Sequence, residues 1–372
     1  MSTGAGLEGV VATQSRLCFI DGDAGLLSYQ GFRIETLAEK ATFEETVFLL
    51  WNGRLPKAAE LAELKAGLVA NRALPAAVEA FLKANPKGSP MHVLRTAVSM
   101  LALDDPDANN VTVSEAAKKA VRLMAQTATI VTSFDRLRNG KAVVPGDPSL
   151  SFAGNFLYTL NGKKADEVME RVLDVALILH AEHELNASTF AARVTAATLS
   201  DIYSAVTSAI GALRGPLHGG ANEDVIKLLL KAGNPANALA MVKDMLANKQ
   251  KVPGMGHRVY HTLDPRAISL KGMAADLAKR TGHEELYEAS EQIQKYMKET
   301  KDLNANVDFF SASMYYSLGI PVDLFTPVFA VSRMSGWTGH ILEQYENNRL
   351  IRPRAEYLGP EVGQKWVAIG AR

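Results

Sequence analysis

Two histidines and one aspartate lie in settings that suit proton transfer. His218 lies in the glycine-rich segment 215–222, and His257 follows a Gly-Met-Gly turn about forty residues later. Asp308 stands between a valine and a phenylalanine. Removing a proton from a carbon beside a carbonyl needs a base, a group that polarises the carbonyl oxygen and a group that protonates the acceptor. We expect these three side chains to fill those roles.

Charge balance and cysteine content narrow the class of protein. The 372 residues include 40 Lys and Arg and 40 Asp and Glu, without a long run of either sign. This balance argues against a general nucleic-acid or membrane-surface binder. Cys18 is the only cysteine, so neither an internal disulfide nor a thiolate metal cluster can form.

No targeting or membrane segment is predicted. Residues 1–13 lack a basic start followed by an apolar core, and no apolar run approaches the ~18 residues of a membrane span. We therefore expect a cytoplasmic protein without nucleic-acid or membrane partners.

The hydrophobic pattern predicts an all-α (mainly α) fold with one small β element. Long amphipathic helices are indicated over 114–138, 165–189 and 191–213. Residues 17–20 and 26–32 read as strands of a hairpin or meander.

Short helices are expected after residue 213, where glycine and proline become dense. They cover 223–232, 236–248, 265–281 and 284–301, and a long helix follows over 327–347. We expect a large helical domain from residues 1–215 and 317–372, with a small helical domain of residues 216–316 inserted. The three candidate catalytic residues would then line a cleft that closes on substrate.

Several motifs in fixed order resemble the citrate synthase family over nearly the whole chain. They are Asp21-Gly22-Asp23 with Tyr29-Gln30-Gly31, His180-Ala181-Glu182-His183-Glu184, Gly256-His257-Arg258-Val259-Tyr260, Asp264-Pro265-Arg266 and Arg349-Leu350-Ile351-Arg352-Pro353-Arg354. The resemblance implies a two-domain helical fold of the compact dimeric type. It implies condensation of acetyl-CoA with oxaloacetate, followed by thioester hydrolysis to citrate and CoA.

The resemblance gives each of the three residues a role. Asp308 would take a proton from the methyl group of acetyl-CoA, helped by apolar neighbours that raise its pKa. His218 would hydrogen-bond the thioester oxygen, and the following helix N-terminus would keep it neutral. His257 would protonate the ketone oxygen of oxaloacetate.

The substrate carboxylates call for planar cations. The resemblance assigns oxaloacetate binding to His183, Arg266, Arg333 and Arg352, with Arg352 reaching in from the second subunit of a homodimer. CoA binding is assigned to Lys251, Val252, Pro253, Gly254, Met255, Gly256 and Arg258. No permanently bound cofactor and no metal is expected; acetyl-CoA is a co-substrate. Met255 and His261 differ from the residues that are common at these positions in the family.

Other interpretations of these residues stay open. Asp308 could cap the following helix. His180 and His183 stand three apart on a predicted helix and could share a face as metal ligands, although the segment fits no zinc-protease motif. His180 and His340 read more simply as structural.

Other functions are compatible with the same motifs. A 2-methylcitrate synthase would share every catalytic residue and differ by one methylene in its substrate, worth only ~1–3 kcal/mol of discrimination. A catalytically silent CoA-binding scaffold and a metallohydrolase are further alternatives. An ATP-citrate lyase is disfavoured because the chain has no Gly-x-x-x-x-Gly-Lys loop.

Overall fold

The computed structural model describes residues 5–7 and 9–372, so part of the segment 1–13 lies outside it. The described residues form 16 α-helices and one three-stranded sheet, which confirms the mainly helical fold. The first ten helices are α1 (Ile34–Lys40), α2 (Phe43–Asn52), α3 (Ala58–Ala70), α4 (Ala76–Ala84), α5 (Pro90–Met100), α6 (Val113–Arg138), α7 (Phe152–Asn161), α8 (Glu167–His180), α9 (Ala187–Ala196) and α10 (Ile202–Leu213). The remaining six are α11 (Ala221–Ala232), α12 (Pro235–Ala247), α13 (Pro265–Thr281), α14 (Glu284–Lys301), α15 (Val307–Ser317) and α16 (Phe325–Glu346).

The N-terminal meander is present as predicted. Strands β1 (Cys18–Asp21), β2 (Leu26–Tyr29) and β3 (Phe32–Arg33) pair antiparallel in that order. Tyr29 is fully buried, and its hydroxyl lies 2.9 Å from the carbonyl oxygen of Glu182 and 3.2 Å from that of Ile178. The small sheet therefore supports the C-terminal end of α8.

Local capping signals fix several helix ends. Thr42 and Glu45 form a capping box at the start of α2, and Gly53 ends that helix at φ 71°. The predicted spans 265–281 and 284–301 match α13 and α14 in full.

Two predicted long helices are each interrupted. Residues 165–189 contain α8 and the start of α9, and residues 191–213 contain the end of α9 and α10. The first break follows His180 and includes Glu184, whose φ is 53°. It ends at Asn186, whose side-chain oxygen caps α9 by accepting a hydrogen bond from the amide of Thr189 at 3.1 Å. The apolar period continues through this break, so periodicity alone predicted unbroken helix.

Helix α16 runs through the centre of the core. Almost every residue from Phe325 to Leu342 is buried, and the helix packs on α2, α6, α8, α9 and α10. Because α16 also approaches α11, it links the N-terminal helices to the body formed by α11–α15.

The chain beyond α16 forms an exposed arm. Residues 347–372 include only one short 3₁₀ turn, at Ile369–Ala371, and expose large apolar side chains, among them Leu358, Val362 and Trp366. Among the helices of residues 5–7 and 9–372, none combines the length and the hydrophobicity of a membrane-spanning segment.

Candidate active site

The loop that carries His257 is held by backbone hydrogen bonds to the segment before α15. The amide of Gly256 donates to the carbonyl of Asn304 at 2.8 Å, and the amide of Asn306 donates to the carbonyl of Gly254 at 3.0 Å. Gly254 and Gly256 have φ of 71° and 77°, a conformation that glycine adopts without strain. The predicted CoA loop therefore places His257 close to the start of the helix that carries Asp308.

The tautomer of His257 follows from its contacts. Its Nδ1 accepts the amides of Val259 at 3.0 Å and Tyr260 at 3.2 Å, so the ring proton resides on Nε2. Burial, aided by Arg266, lowers the pKa of His257 to about 4. The side chain is thus a neutral imidazole that presents an N–H donor.

His218 has the opposite tautomer. Its Nε2 accepts the amide of Ser188 at 3.3 Å and lies 2.8 Å from the Ser188 hydroxyl, which itself accepts Nε1 of Trp337 at 3.1 Å. The proton is then on Nδ1. Burial, followed by the charge of Arg333, lowers the pKa of His218 to about 4. Burial and this arginine both favour the neutral imidazole that the sequence predicts.

Asp308 lies in the first turn of α15, but it does not cap that helix. Asn306 is the cap, and its side-chain oxygen accepts the amide of Asp308 at 3.0 Å. The Asp308 carboxylate makes no hydrogen bond to any described residue, and its neighbours Val307 and Phe309 are buried. Desolvation raises the pKa of Asp308 to about 6 against the opposing pull of Arg266.

His183 lies in the break between α8 and α9. The ring is buried, and Nε2 is 3.2 Å from the hydroxyl of Tyr260. Its centroid is 5.2 Å from that of His257. Burial and the nearby Arg266 hold the pKa of His183 well below its usual range. Ending α8 before His183 turns this side chain toward the His257 loop.

Arg266 is already paired within the protein. It donates Nε to Oδ1 of Asp264 at 3.0 Å and Nη2 to Oδ2 at 2.8 Å, and both residues are buried. Its Nη2 also lies 3.5 Å from Nε2 of His257. The sequence pattern that could have indicated this role of Asp264 is an aspartate followed by a proline at the start of a helix.

Arg333 is buried without a carboxylate partner in the part of the chain that the structure describes. Its Nε donates to the carbonyl of His180 at 2.7 Å, and its guanidinium carbon lies 4.7 Å from the ring centre of Phe329. Burial lowers the pKa of this arginine, and the charge of Glu182 opposes that effect. A buried guanidinium without a partner is costly and suits an anionic ligand.

Arg266 and Arg333 both lie close enough to the candidate catalytic groups to influence their pKa values. Arg333 acts on the pKa values of His218 and Asp308, and Arg266 acts on those of His257 and Asp308. The structure thus brings six of the seven predicted catalytic and oxaloacetate residues to one region.

Arg352 is the exception. It lies in the exposed C-terminal arm and lines a groove of about 970 Å³ with Thr13, Phe190 and Gln344. Among the described residues it makes no hydrogen bond or ion pair with the other predicted ligands.

His180 does not share a face with His183. Its Nδ1 donates to the carbonyl of Ala176 at 2.7 Å, and its Nε2 is buried without a described partner. Burial lowers the pKa of His180 to about 3. The structural interpretation of His180 fits these contacts. Across the described residues there is no cluster of three or more His, Cys, Asp or Glu side chains suited to a metal.

A family assignment follows from comparison with known proteins. The family model described as "Citrate synthase, C-terminal domain" matches residues 6–354. The chain therefore belongs to the citrate synthase family, whose members are acyltransferases that make citrate from acetyl-CoA and oxaloacetate. This confirms the family and the enzyme class expected from the motifs.

Individual members of the family are similar to this chain over almost its full length. The chain is 50% identical to citrate synthase 2 of Bacillus subtilis (strain 168), covering 100% of both chains. It is 42% identical to a 2-methylcitrate synthase of Shewanella oneidensis, covering 96% of this chain and 95% of the relative. The citrate synthase of Thermoplasma acidophilum, solved as a ternary complex with carboxymethyl coenzyme A and oxaloacetate, is 33% identical, covers 100% of both chains and has a TM-score of 0.93.

Proposed function

We propose that this protein condenses acetyl-CoA with oxaloacetate and hydrolyses the resulting thioester to citrate and CoA. One observation carries the proposal: two imidazoles of opposite tautomer and one buried carboxyl lie around two buried arginines, with His218 near Arg333, His257 near Arg266 and Asp308 influenced by both. Proton abstraction beside a carbonyl, coupled to protonation of an acceptor, requires such a set.

Each group has one task in the proposed reaction. Asp308 removes a proton from the methyl carbon of acetyl-CoA. His218 donates a hydrogen bond from Nδ1 to the thioester oxygen as negative charge develops there. His257 protonates the ketone oxygen of oxaloacetate through Nε2. A pKa near 6 makes Asp308 a better base than an ordinary carboxylate while leaving it ionised at pH 7.

Oxaloacetate would be held by His183, Arg266, Arg333 and an Arg352. The Nε and Nη2 of Arg266 are engaged with Asp264, so its Nη1 would face the substrate, whereas both terminal nitrogens of Arg333 lack a described partner. The ternary complex of the Thermoplasma acidophilum enzyme with oxaloacetate supports a dicarboxylate site in this fold.

CoA would lie along the loop 251–256 and Arg258. Lys251 and Arg258 are exposed, as cations for phosphate groups must be, while Val252 is buried and anchors the loop. The carboxymethyl coenzyme A bound by the Thermoplasma acidophilum enzyme supports this co-substrate. We propose no permanently bound cofactor and no metal in the reaction.

The proposed cleft separates a large domain of residues 1–215 and 317–372 from a small domain of residues 216–316. Contacts that cross this division include Nδ1 of His261 to Asp23 at 2.7 Å and Nε2 of His183 to Tyr260 at 3.2 Å. Both are polar contacts, and α13 also packs on α1 and α8 across the division, so opening would separate these helices as well. We propose that oxaloacetate binding closes this cleft before acetyl-CoA reacts.

We further propose a cytoplasmic homodimer. The arm that carries Arg352 exposes several large apolar side chains, which a second subunit would bury. Arg352 would then complete the oxaloacetate site of that second subunit. A chain with one cysteine suits the reducing cytoplasm.

The alternative substrate is propionyl-CoA, and the comparisons favour acetyl-CoA. The relative named citrate synthase 2 is 50% identical, and the 2-methylcitrate synthase 42%. The test follows free thiol release with oxaloacetate and either thioester. A higher kcat/KM with acetyl-CoA supports citrate synthesis, a higher value with propionyl-CoA supports the alternative, and no thiol release with either indicates a silent scaffold.

A further inference from the structure

Three residues on one face of α16 surround the carboxylate of Glu182. Arg333, Gly336 and His340 are spaced three and four residues apart, so they line a single stripe of the helix. Glu182 is fully buried, and a Cβ built at Gly336 would collide with its Oε2 and with the carbonyl of Ala181. The glycine therefore allows this carboxylate to lie between Arg333 and His340.

His340 binds one oxygen of Glu182 in a defined tautomer. Nη1 of Arg193 lies 2.9 Å from Nδ1 of His340, and because arginine only donates, Nδ1 accepts. The ring proton is then on Nε2, which donates to Oε1 of Glu182 at 3.1 Å. Nη1 of Arg193 also forms an ion pair with Oε2 of Glu343 at 2.6 Å, so Glu343 balances the charge of Arg193.

Glu182 and Arg333 are opposite charges that do not pair. Oε2 of Glu182 is buried without a hydrogen-bond partner among the described residues. Arg333 is turned toward His180 and Phe329 instead, yet Glu182 is the strongest of the charges that favour its protonated form. Opposite charges this deeply buried would normally form a direct hydrogen-bonded pair.

We propose that His340 holds Glu182 away from Arg333, so that Glu182 balances the charge of the arginine while both terminal guanidinium nitrogens stay available for a substrate carboxylate. Glu182 and His340 are then positioning residues. This inference rests on the proposed function, because it assumes that Arg333 binds oxaloacetate.

The arrangement resolves two opposing requirements of a buried arginine. Without a nearby carboxylate, the free enzyme would hold an uncompensated buried charge, which is strongly destabilising. With a direct internal pair, the substrate would have to break that pair before it could bind. A carboxylate held by another donor supplies the charge without occupying the binding atoms.

The test compares three variants by calorimetric binding of oxaloacetate and by steady-state rates. In His340→Phe, the freed Glu182 should pair with Arg333 and raise the Kd for oxaloacetate on the order of tenfold, with little change in kcat at saturation. Adding Glu182→Gln removes the competing charge and should restore much of the affinity. His340→Gln, which keeps an acceptor for Arg193 and a donor for Glu182, should bind nearly as the parent does.

A matched control is His283→Phe. His283 is half-buried, hydrogen-bonded to Thr281 and Ser317, and outside the site, so its replacement should leave the Kd unchanged. Normal binding by a folded His340→Phe variant, or a double variant no tighter than the single one, overturns the inference. If the parent protein itself neither binds oxaloacetate nor releases thiol, the proposed function fails instead.

A second measurement covers the case in which His340→Phe does not fold. Glu182→Gln alone keeps the volume and the hydrogen bond from His340 but removes the charge. It should bind oxaloacetate at least as tightly as the parent and unfold at a lower temperature, because Arg333 loses its balancing charge. Weaker binding by this folded variant contradicts the inference.

Discussion

Arg266 and Asp264 form a buried two-point pair that also fixes the start of α15. The two hydrogen bonds measure 3.0 and 2.8 Å, and Oδ2 of Asp264 accepts the amide of Val307 at 3.1 Å. Asp264 additionally caps α13 by accepting the amide of Arg266. One carboxylate therefore sets the position of a proposed oxaloacetate ligand and of the helix that carries Asp308.

Removing this carboxylate should destabilise the protein strongly. We predict that Asp264→Asn lowers the free energy of unfolding by roughly 3–5 kcal/mol, because it leaves a buried guanidinium uncompensated. Urea denaturation measures the change. Asp276→Asn, an exposed position on the same helix, is the control and should shift stability by less than about 0.5 kcal/mol. Equal stability of the two variants would show that the Asp264–Arg266 pair does not stabilise the fold.

Neutralising the proposed base should affect turnover and not folding. We predict that Asp308→Asn reduces kcat by about 10²–10⁴-fold, since an amide cannot accept the methyl proton. The thermal unfolding temperature should be unchanged or slightly higher, because the substitution removes a buried, desolvated charge. Asp302→Asn, exposed at the C-terminal end of α14, is the control. Near-normal turnover by Asp308→Asn would rule out its assignment as the base.

The acidic limb of the pH profile should report Asp308. The base acts when ionised, and its pKa of about 6 means that only about a tenth of it is ionised one pH unit lower. We predict that kcat/KM falls as pH drops through 6. His218 and His257, with pKa values of about 4, are neutral throughout that range. A profile that stays flat from pH 7 to 5 would contradict the raised pKa.

The proposed sharing of Arg352 between subunits predicts rescue in mixed dimers. Arg352→Ala and His257→Ala should each be nearly inactive alone. After subunit exchange at equal amounts, one site in each mixed dimer is intact, so activity should reach about one quarter of the parent value. Exchange is verified with tagged subunits. No recovery in verified mixed dimers would place Arg352 outside the partner's site.

The sequence alone determined the helical architecture where the signal was local. Thr42, Glu45 and Gly53 specified both ends of α2 because a capping box and a left-handed glycine act within a few residues. Motif order likewise predicted the family and most of the residues that the structure brings together.

Tertiary structure decided what depends on contacts between distant segments. The break after His180 was missed because its apolar period does not change; it is supported by Tyr29, about 150 residues earlier, and by Asn186. The tautomers of His218 and His257 follow from backbone amides that only the folded chain places beside them. Whether Arg333 pairs with Glu182 likewise depends on His340 and Arg193, which lie far apart in sequence. Local sequence could specify the helices, but charge balance in a buried site is set by which groups meet when the helices pack.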